Sequence, residues 1–226
     1  MKRRLKRLGI IFVGGALCVV GYPWARQDEK EGDSESSAPR SLPAVISPAP
    51  VSNSETDQPS LAFGDVVDEL NGVAIYYNGA VSTTQGRHSA SDGYNFGLRY
   101  QCVEFVKRYY YQQLGHRMPD TWGHAKSFYD PAIPHGKINP RRNLRQYQNG
   151  GSERPKVDDL LVFGPTQWNR YGHVAIVSRV TDHGVEIVQQ NPGPHGASRI
   201  SLALVETEGN WKLGSDRILG WLRMKP

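Results

Sequence analysis

The sequence predicts an α+β domain in which one helix packs on an antiparallel β-sheet. Two observations lead to this prediction: the helical patterns fall in the first half of residues 61–226, and most strand patterns fall in the second half. A set of helices followed by a set of strands is typical of the α+β class. No linker interrupts this stretch, so we expect residues 61–226 to form one domain around one core.

The principal helix is predicted at residues 101–114, where Phe105, Val106 and Tyr109 form an apolar face. The other elements of the first half are a lead-in segment or short helix at 63–70, a short strand at 73–77 and a second helix at 121–129.

The second half is predicted to supply the sheet. Its strand segments are short, apolar and rich in β-branched residues, and turn residues separate them. They lie at residues 159–163, 173–180, 185–190 and 218–224, with a further candidate at 201–205.

The first 60 residues have a different composition. Residues 1–26 begin with a basic cluster followed by an uncharged run, which predicts a signal sequence or an N-terminal membrane anchor. Tyr22 and Trp24 suit a membrane interface, so we favour an uncleaved anchor over a cleaved signal. Residues 27–60 are rich in Ser and Pro and lack apolar periodicity, which predicts a disordered linker. We therefore expect the domain to lie in the periplasm or elsewhere outside the cytoplasm.

The net charge of +5 does not indicate a nucleic-acid partner. Five of the 27 basic residues lie in the first seven positions, and the remaining 22 equal the 22 acidic residues in number. The rest of the chain is therefore neutral by count, so a polyphosphate partner has no electrostatic support.

Cys102 is the first candidate for chemistry, because it opens the predicted helix and the other cysteine, Cys18, lies in the N-terminal apolar run. The N-terminus of a helix favours a thiolate and can also hold an oxyanion, so we expect a lowered pKa at Cys102. The alternative is that Cys102 is a small buried apolar residue.

His173 is the second candidate, because it leads directly into the predicted strand 173–180. An imidazole held on a strand can act as general base for a cysteine if a third group orients its other ring nitrogen. Gln189 and Asn191 are candidates for that group, since residues two apart share a strand face while Gln190 faces the other way.

Several segments, in this order, resemble the CHAP family of cysteine, histidine-dependent amidohydrolases and peptidases. The resemblance extends particularly to amidase domains of the glutathionylspermidine synthetase/amidase type. The matching segments are Tyr-Gln-Cys-Val-Glu-Phe ending at Phe105, Asn149-Gly-Gly, Arg154-Pro with residues 159–163, Gly-His-Val-Ala-Ile ending at Ile176, Gln190-Asn191, and Ile-Leu-Gly-Trp ending at Trp221.

The resemblance implies a papain-like (NlpC/P60-type) fold and hydrolysis of amide bonds by a thiol. It makes Cys102 the nucleophile, His173 the base, and Gln101 with the Cys102 amide the oxyanion hole. This sequence departs from the family at one position, because Gln189 stands where a glutamate is usual. An amide oxygen can orient an imidazole but cannot stabilise its cation as a carboxylate does, so Asn191 is an alternative third member.

No metal or cofactor is expected, because the histidines lack zinc-ligand spacing and no C-x-x-C or calcium-loop pattern occurs. Trp168 and Tyr171 flank the segment before His173, so we expect them to contact substrate.

Three functional hypotheses follow. The first is an exported bacterial amidohydrolase that acts on peptidoglycan, since an exported domain meets the cell wall. The second is an amidase for conjugates such as glutathionylspermidine, which the export pattern and the lack of an attached synthetase domain oppose. The third is a non-catalytic module that binds the cell wall. For each hypothesis we expect a monomer.

Overall fold

A computed structural model describes residues 60–225, and its α+β architecture confirms the predicted fold class. One α-helix, α1 (Cys102–Leu114), packs on an antiparallel sheet of eight strands in the order β11-β10-β9-β8-β7-β12-β6-β5. The strands of this sheet are β5 (Ile138–Asn139), β6 (Leu144–Gln148), β7 (Leu160–Phe163), β8 (His173–Val180), β9 (Gly184–Val188), β10 (Arg199–Thr207), β11 (Asn210–Leu213) and β12 (Ile218–Arg223).

Two smaller antiparallel pairs precede the helix. Strand β1 (Val66–Leu70) pairs with β2 (Val73–Tyr76), and β3 (Arg87–Ser89) pairs with β4 (Asn95–Leu98). Strands β2 and β4 both lie against α1.

Both faces of the central strands are buried. Val162, Val174 and Ile176 face the core that includes the apolar side of α1. Their neighbours Leu161 and Ala175 face a second core on the other side of the sheet, which also contains Trp221. This burial on both faces explains why β7 and β8 are almost continuously apolar.

The predicted elements of the second half are confirmed within a few residues, but the first half is less helical than predicted. The segment 63–70 contains strand β1 instead of a helix, because its backbone pairs with β2. Strands β3, β4, β5, β6 and β11 were not predicted; they contain two to five residues each, which is too short for a clear alternation.

The helix predicted at 121–129 is wrong except for one 3₁₀ turn, Ala125–Phe128. The buried Arg142 guanidinium donates to the carbonyl oxygens of Asp120 and Trp122 at 2.5 and 3.2 Å. Gly123, which follows Trp122, has a φ of 108°, which is not helical. Contacts with distant residues therefore override the local helical preference here.

Within the described residues 60–225, no helix combines the length and apolar character needed to cross a bilayer. The predicted signal or anchor at 1–26 and all but the last residue of the predicted linker at 27–60 lie outside the described residues.

Candidate active site

Cys102 is the first residue of α1 and is 7% exposed. The preceding Gln101 has an extended backbone and makes no side-chain cap, so the N–H groups of the first turn remain available. The N–H groups of Val174, Val103 and Cys102 itself lie near the sulfur and favour the thiolate. Burial outweighs them and raises the pKa of the thiol to about 11. The lowered pKa expected from the helix N-terminus is therefore wrong for this structure, in which Cys102 is a thiol at neutral pH.

His173 is the first residue of β8 and lies opposite Phe163 of β7. The turn before it depends on Gly172, where a Cβ would lie 2.6 Å from the carbonyl oxygen of Phe163. This close approach places His173 on the wall of a cavity of about 690 Å³ that Cys102 also borders. Thus the helix start and the strand start converge on one cavity.

Gln189 fixes the tautomer and the orientation of the His173 ring. Its Oε1 lies 2.9 Å from His173 Nε2, while its Nε2 donates to the carbonyl oxygen of Ala197 at 3.0 Å. The contact with Ala197 sets the orientation of the amide, so its oxygen must face the imidazole. Nε2 of His173 therefore carries the proton, which leaves Nδ1 as an acceptor. Burial lowers the pKa of His173 to about 4, although the Gln189 contact opposes the change, so the ring is neutral at pH 7.

Asn191 does not contact the His173 ring through a hydrogen bond. Its Nδ2 donates to Gln101 Oε1 at 2.8 Å and to the carbonyl oxygen of Val81 at 3.0 Å. Strand β9 ends at Val188 and Asn191 has a φ of 57°, so the strand alternation used in the sequence analysis does not extend to this residue. The geometry gives the orienting contact to Gln189, whereas Asn191 holds Gln101.

Gln101 lies beside Cys102, but its amide hydrogens point at other acceptors. Its Nε2 donates to the carbonyl oxygens of Thr83 and Val81 at 2.7 and 3.2 Å. In this conformation the amide is not free to hold an oxyanion, so the role assigned to Gln101 stays a prediction. The N–H groups at the start of α1 are the donors best placed for that task.

A buried polar group, which the sequence pattern did not indicate, joins these parts. Gln190 is completely buried and donates to Glu104 Oε2 at 2.7 Å and to the carbonyl oxygen of Gln101 at 3.1 Å. Glu104 is also completely buried, and it accepts from Arg108 Nε at 2.6 Å. The i, i+4 spacing of Glu104 and Arg108 was a usable signal in the sequence, but nothing in the sequence pointed to Gln190 as their partner.

Aromatic and basic side chains surround the mouth of the cavity. Trp168 is 88% exposed, and Tyr171 and Trp122 are also exposed. The guanidinium of Arg87 lies 4.4 Å from the ring centre of Trp122. In the described part of the chain, the lining residues include Arg87, Lys107 and Arg170 but no aspartate or glutamate. The same part of the chain contains no group of three His, Cys, Asp or Glu side chains suited to a metal.

These contacts provide the groups needed for nucleophilic attack by a thiol. A thiol borders the same cavity as a neutral imidazole whose Nδ1 is free of a proton. Proton transfer from Cys102 to His173 would produce a nucleophile beside the N–H groups of a helix start. Such an arrangement can attack a carbonyl carbon and hold the resulting oxyanion.

Comparison with known proteins adds a family match. Residues 91–191 match the family model described as "CHAP domain", which confirms the resemblance seen in the sequence. A trypanothione synthetase of Crithidia fasciculata is 27% identical over 68% of this chain and 24% of its own length. The bifunctional glutathionylspermidine synthetase/amidase of Escherichia coli is 27% identical over 67% of this chain and 27% of its own length.

A third relative is the endolysin PlyTW of Staphylococcus phage Twort, which is 27% identical over 48% of this chain and 22% of its own length. In each of these three comparisons, the aligned region spans about a quarter of the relative.

The raised pKa of Cys102 leads to a prediction about its reactivity. At pH 7 we expect iodoacetamide to alkylate Cys102 on the order of 100-fold more slowly than a free cysteine, because little thiolate is present. The rate should rise steadily as the pH increases above 8.5. Mass spectrometry of the alkylated protein measures the rate, and the Cys102→Ala variant gives the background. Fast alkylation with a midpoint near pH 6 would instead show a stable thiolate–imidazolium pair.

The contact between Gln189 and His173 leads to a second prediction. In Gln189→Glu, a carboxylate beside the ring stabilises imidazolium and raises the pKa of His173, so the acid limb of kcat/KM should move about 1–3 pH units higher. Gln189→Ala should lower kcat by about 10- to 100-fold without that movement, because the ring loses its orienting partner. Asn191→Ala, two residues away, should leave the acid limb in place, because Asn191 makes no hydrogen bond to the ring. An acid limb unchanged in Gln189→Glu would remove Gln189 from its positioning role.

Proposed function

Because the chain carries a CHAP domain, we propose that it is a cysteine amidohydrolase or peptidase that cleaves amide bonds in peptidoglycan. The observation that carries the proposal is that Cys102 borders the same cavity as His173, whose Nε2–H is held by Gln189. The family match and the amidase and endolysin relatives support hydrolysis of an amide bond.

The proposed reaction begins with general-base catalysis. The Cys102 thiol transfers its proton to Nδ1 of His173 as the sulfur attacks the carbonyl carbon of the substrate. The carbonyl oxygen gains negative charge and accepts hydrogen bonds from the N–H groups at the start of α1. Gln189 keeps the Nε2–H in place, so the ring presents Nδ1 throughout.

The tetrahedral intermediate collapses when the C–N bond breaks. His173 returns its proton to the leaving nitrogen, and an acyl group remains on the Cys102 sulfur. Water then transfers a proton to His173 and attacks the thioester, which releases a carboxylic acid. The thiol regains its proton from His173, so atoms and charge balance over the cycle.

A peptide substrate fits the charge of the cavity better than a polyamine conjugate. A polyamine carries several positive charges, and its recognition calls for carboxylates or other anionic groups. The lining residues of the described chain offer Arg87, Lys107 and Arg170 and no acidic side chain. Among the relatives, the phage endolysin PlyTW supports the same choice. The two synthetase relatives favour the conjugate amidase as the second candidate.

We also propose that the domain works outside the cytoplasm, anchored by residues 1–26 and extended by the linker 27–60. The support is the basic cluster and uncharged run of the sequence. A fusion of residues 1–60 to alkaline phosphatase should be active, because that reporter needs export to form its disulfides. The matched fusion that begins at residue 27 should be inactive. Equal activity of both fusions, or activity of neither, would contradict the localisation.

The catalytic proposal is tested with isolated sacculi. The purified protein should release soluble fragments with new amino and carboxyl groups, and Cys102→Ala should lower the rate by about 10⁴-fold or more, since the covalent route is lost. Mass analysis of the fragments identifies the bond that is cut. A parallel incubation with glutathionylspermidine tests the second candidate through release of spermidine. Pelleting of the protein with sacculi without any product would favour the binding module.

A further inference from the structure

Gln190 is a completely buried side chain whose amide group is fully used in hydrogen bonds. Its Nε2 donates to Glu104 Oε2 at 2.7 Å and to the carbonyl oxygen of Gln101 at 3.1 Å. Its Oε1 accepts from the backbone N–H of Tyr76 at 2.9 Å and from Arg108 Nη2 at 3.5 Å. A reversed amide would set donors against donors and acceptors against acceptors, so these contacts allow only one orientation of the group.

Two of these contacts lie on either side of the nucleophile. Gln101 immediately precedes Cys102, and its carbonyl oxygen also accepts the first hydrogen bond of the helix, from the N–H of Phe105 at 3.3 Å. Glu104 lies two residues after Cys102, in the first turn of α1. The Gln190 amide therefore holds the helix start both before and after Cys102, which restricts shift and rotation of the nucleophile.

Gln190 is also joined directly to the residues that support the base. Gln189, which precedes it, holds Nε2 of His173 at 2.9 Å. Val188, at the end of β9, pairs with Ile176 of β8, the strand that begins at His173. The connection between the nucleophile and the base thus passes through two adjacent residues, one of which contacts the helix start while the other contacts the imidazole.

We propose that Gln190 is a positioning residue that fixes the placement of the Cys102 thiol relative to the His173 imidazole. The proposal rests on the function proposed above and deepens it by naming the contact on which proton transfer depends. Gln190 does not line the cavity, so it acts through its neighbours and not on the substrate. Proton transfer needs heavy atoms within about 2.6–3.2 Å of each other, and a misplacement of about 1 Å can lower a rate about 100-fold.

The neutral state of both groups makes such a link necessary. Neither Cys102 nor His173 is charged at pH 7, so no ion pair draws the two side chains together. The surrounding structure has to provide the alignment that attraction between a thiolate and an imidazolium would otherwise provide. Hydrogen bonds suit this task because they are directional, and a shift of Gln190 would leave the buried Glu104 carboxylate with one donor fewer.

The experiment measures how strongly the reactivity of Cys102 depends on His173 in the full chain, with and without the Gln190 amide. Iodoacetamide alkylation at pH 8, followed by mass spectrometry, reports this dependence without a substrate. In the wild type, His173→Ala should slow alkylation at least 10-fold, because the base no longer accepts the thiol proton. In Gln190→Met alkylation should already be several-fold slower, and adding His173→Ala should slow it less than 2-fold further, since the base is out of place.

Gln146→Met is the matched control. Gln146 lies on β6, is also buried, and its amide also makes two hydrogen bonds as donor and two as acceptor. Its loss should lower the thermal unfolding temperature as the loss of the Gln190 amide does, but the 10-fold dependence on His173 should remain. If Gln146→Met also removed the dependence, the effect would reflect general loosening of the fold and the positioning role would be wrong.

A reciprocal exchange tests the contact between Gln190 and Glu104 itself. Gln190→Glu alone sets two carboxylates against each other and should remove the dependence on His173. Adding Glu104→Gln restores one donor and one acceptor between the two positions, while Arg108 keeps a partner, so a several-fold dependence should return. The exchange provides the decision if Gln190→Met does not fold. An exchanged pair that fails to fold, or that folds without recovery, would contradict the proposal.

Because alkylation needs no substrate, the outcomes separate the two proposals. Loss of the dependence in Gln190→Met, together with no hydrolysis of sacculi or glutathionylspermidine by the wild type, would refute the proposed function alone. A dependence on His173 that persists in Gln190→Met would refute the positioning role alone. Alkylation that His173→Ala does not slow in the wild type would refute both the base role of His173 and the positioning role of Gln190.

Discussion

The position of the nucleophile depends on one buried carboxylate, Glu104. Burial would raise its pKa, but the hydrogen bond from His88 and the contacts with Arg108 and Gln190 hold the pKa below its usual range, so it is ionised. Through these three partners Glu104 ties α1 to β3 and to the segment after β9. Loss of any partner would leave a buried charge incompletely satisfied, so the start of the Cys102 helix has little freedom to shift.

Three consecutive residues after β9 connect the buried Glu104 carboxylate to the other parts of the site. Gln189 contacts the His173 ring, Gln190 contacts Glu104 and the backbone of Gln101, and Asn191 contacts the Gln101 side chain. Each residue therefore binds a different part of the site, although all three belong to one short segment. A displacement of this segment would therefore disturb the contacts of both the base and the nucleophile.

The sequence predicted the parts of this arrangement that depend on local pattern. The bounds of α1 and β8 follow from apolar periodicity, and the placement of Cys102 and His173 on one cavity follows from a helix start docked on a strand start. The partners of Asn191 could not be predicted, because its positive φ breaks the strand alternation. The burial of Lys107 could not be predicted either, since a lysine on a helix is usually solvated. Its burial depends on hydrogen bonds to the carbonyl oxygens of Asn95 and Thr121, which no local pattern indicates.

The neutral states of Cys102 and His173 agree with an uncharged amide at Gln189 as the group that orients the ring. Both the thiol and the imidazole are neutral at pH 7, so the nucleophile must form as the substrate is attacked and not before. Separating charge between Cys102 and His173 is costly where burial disfavours both ions, but the backbone N–H groups near the sulfur favour the anion that forms there. Gln189 fits this neutral resting state, because its amide oxygen orients the ring without adding a charge beside it.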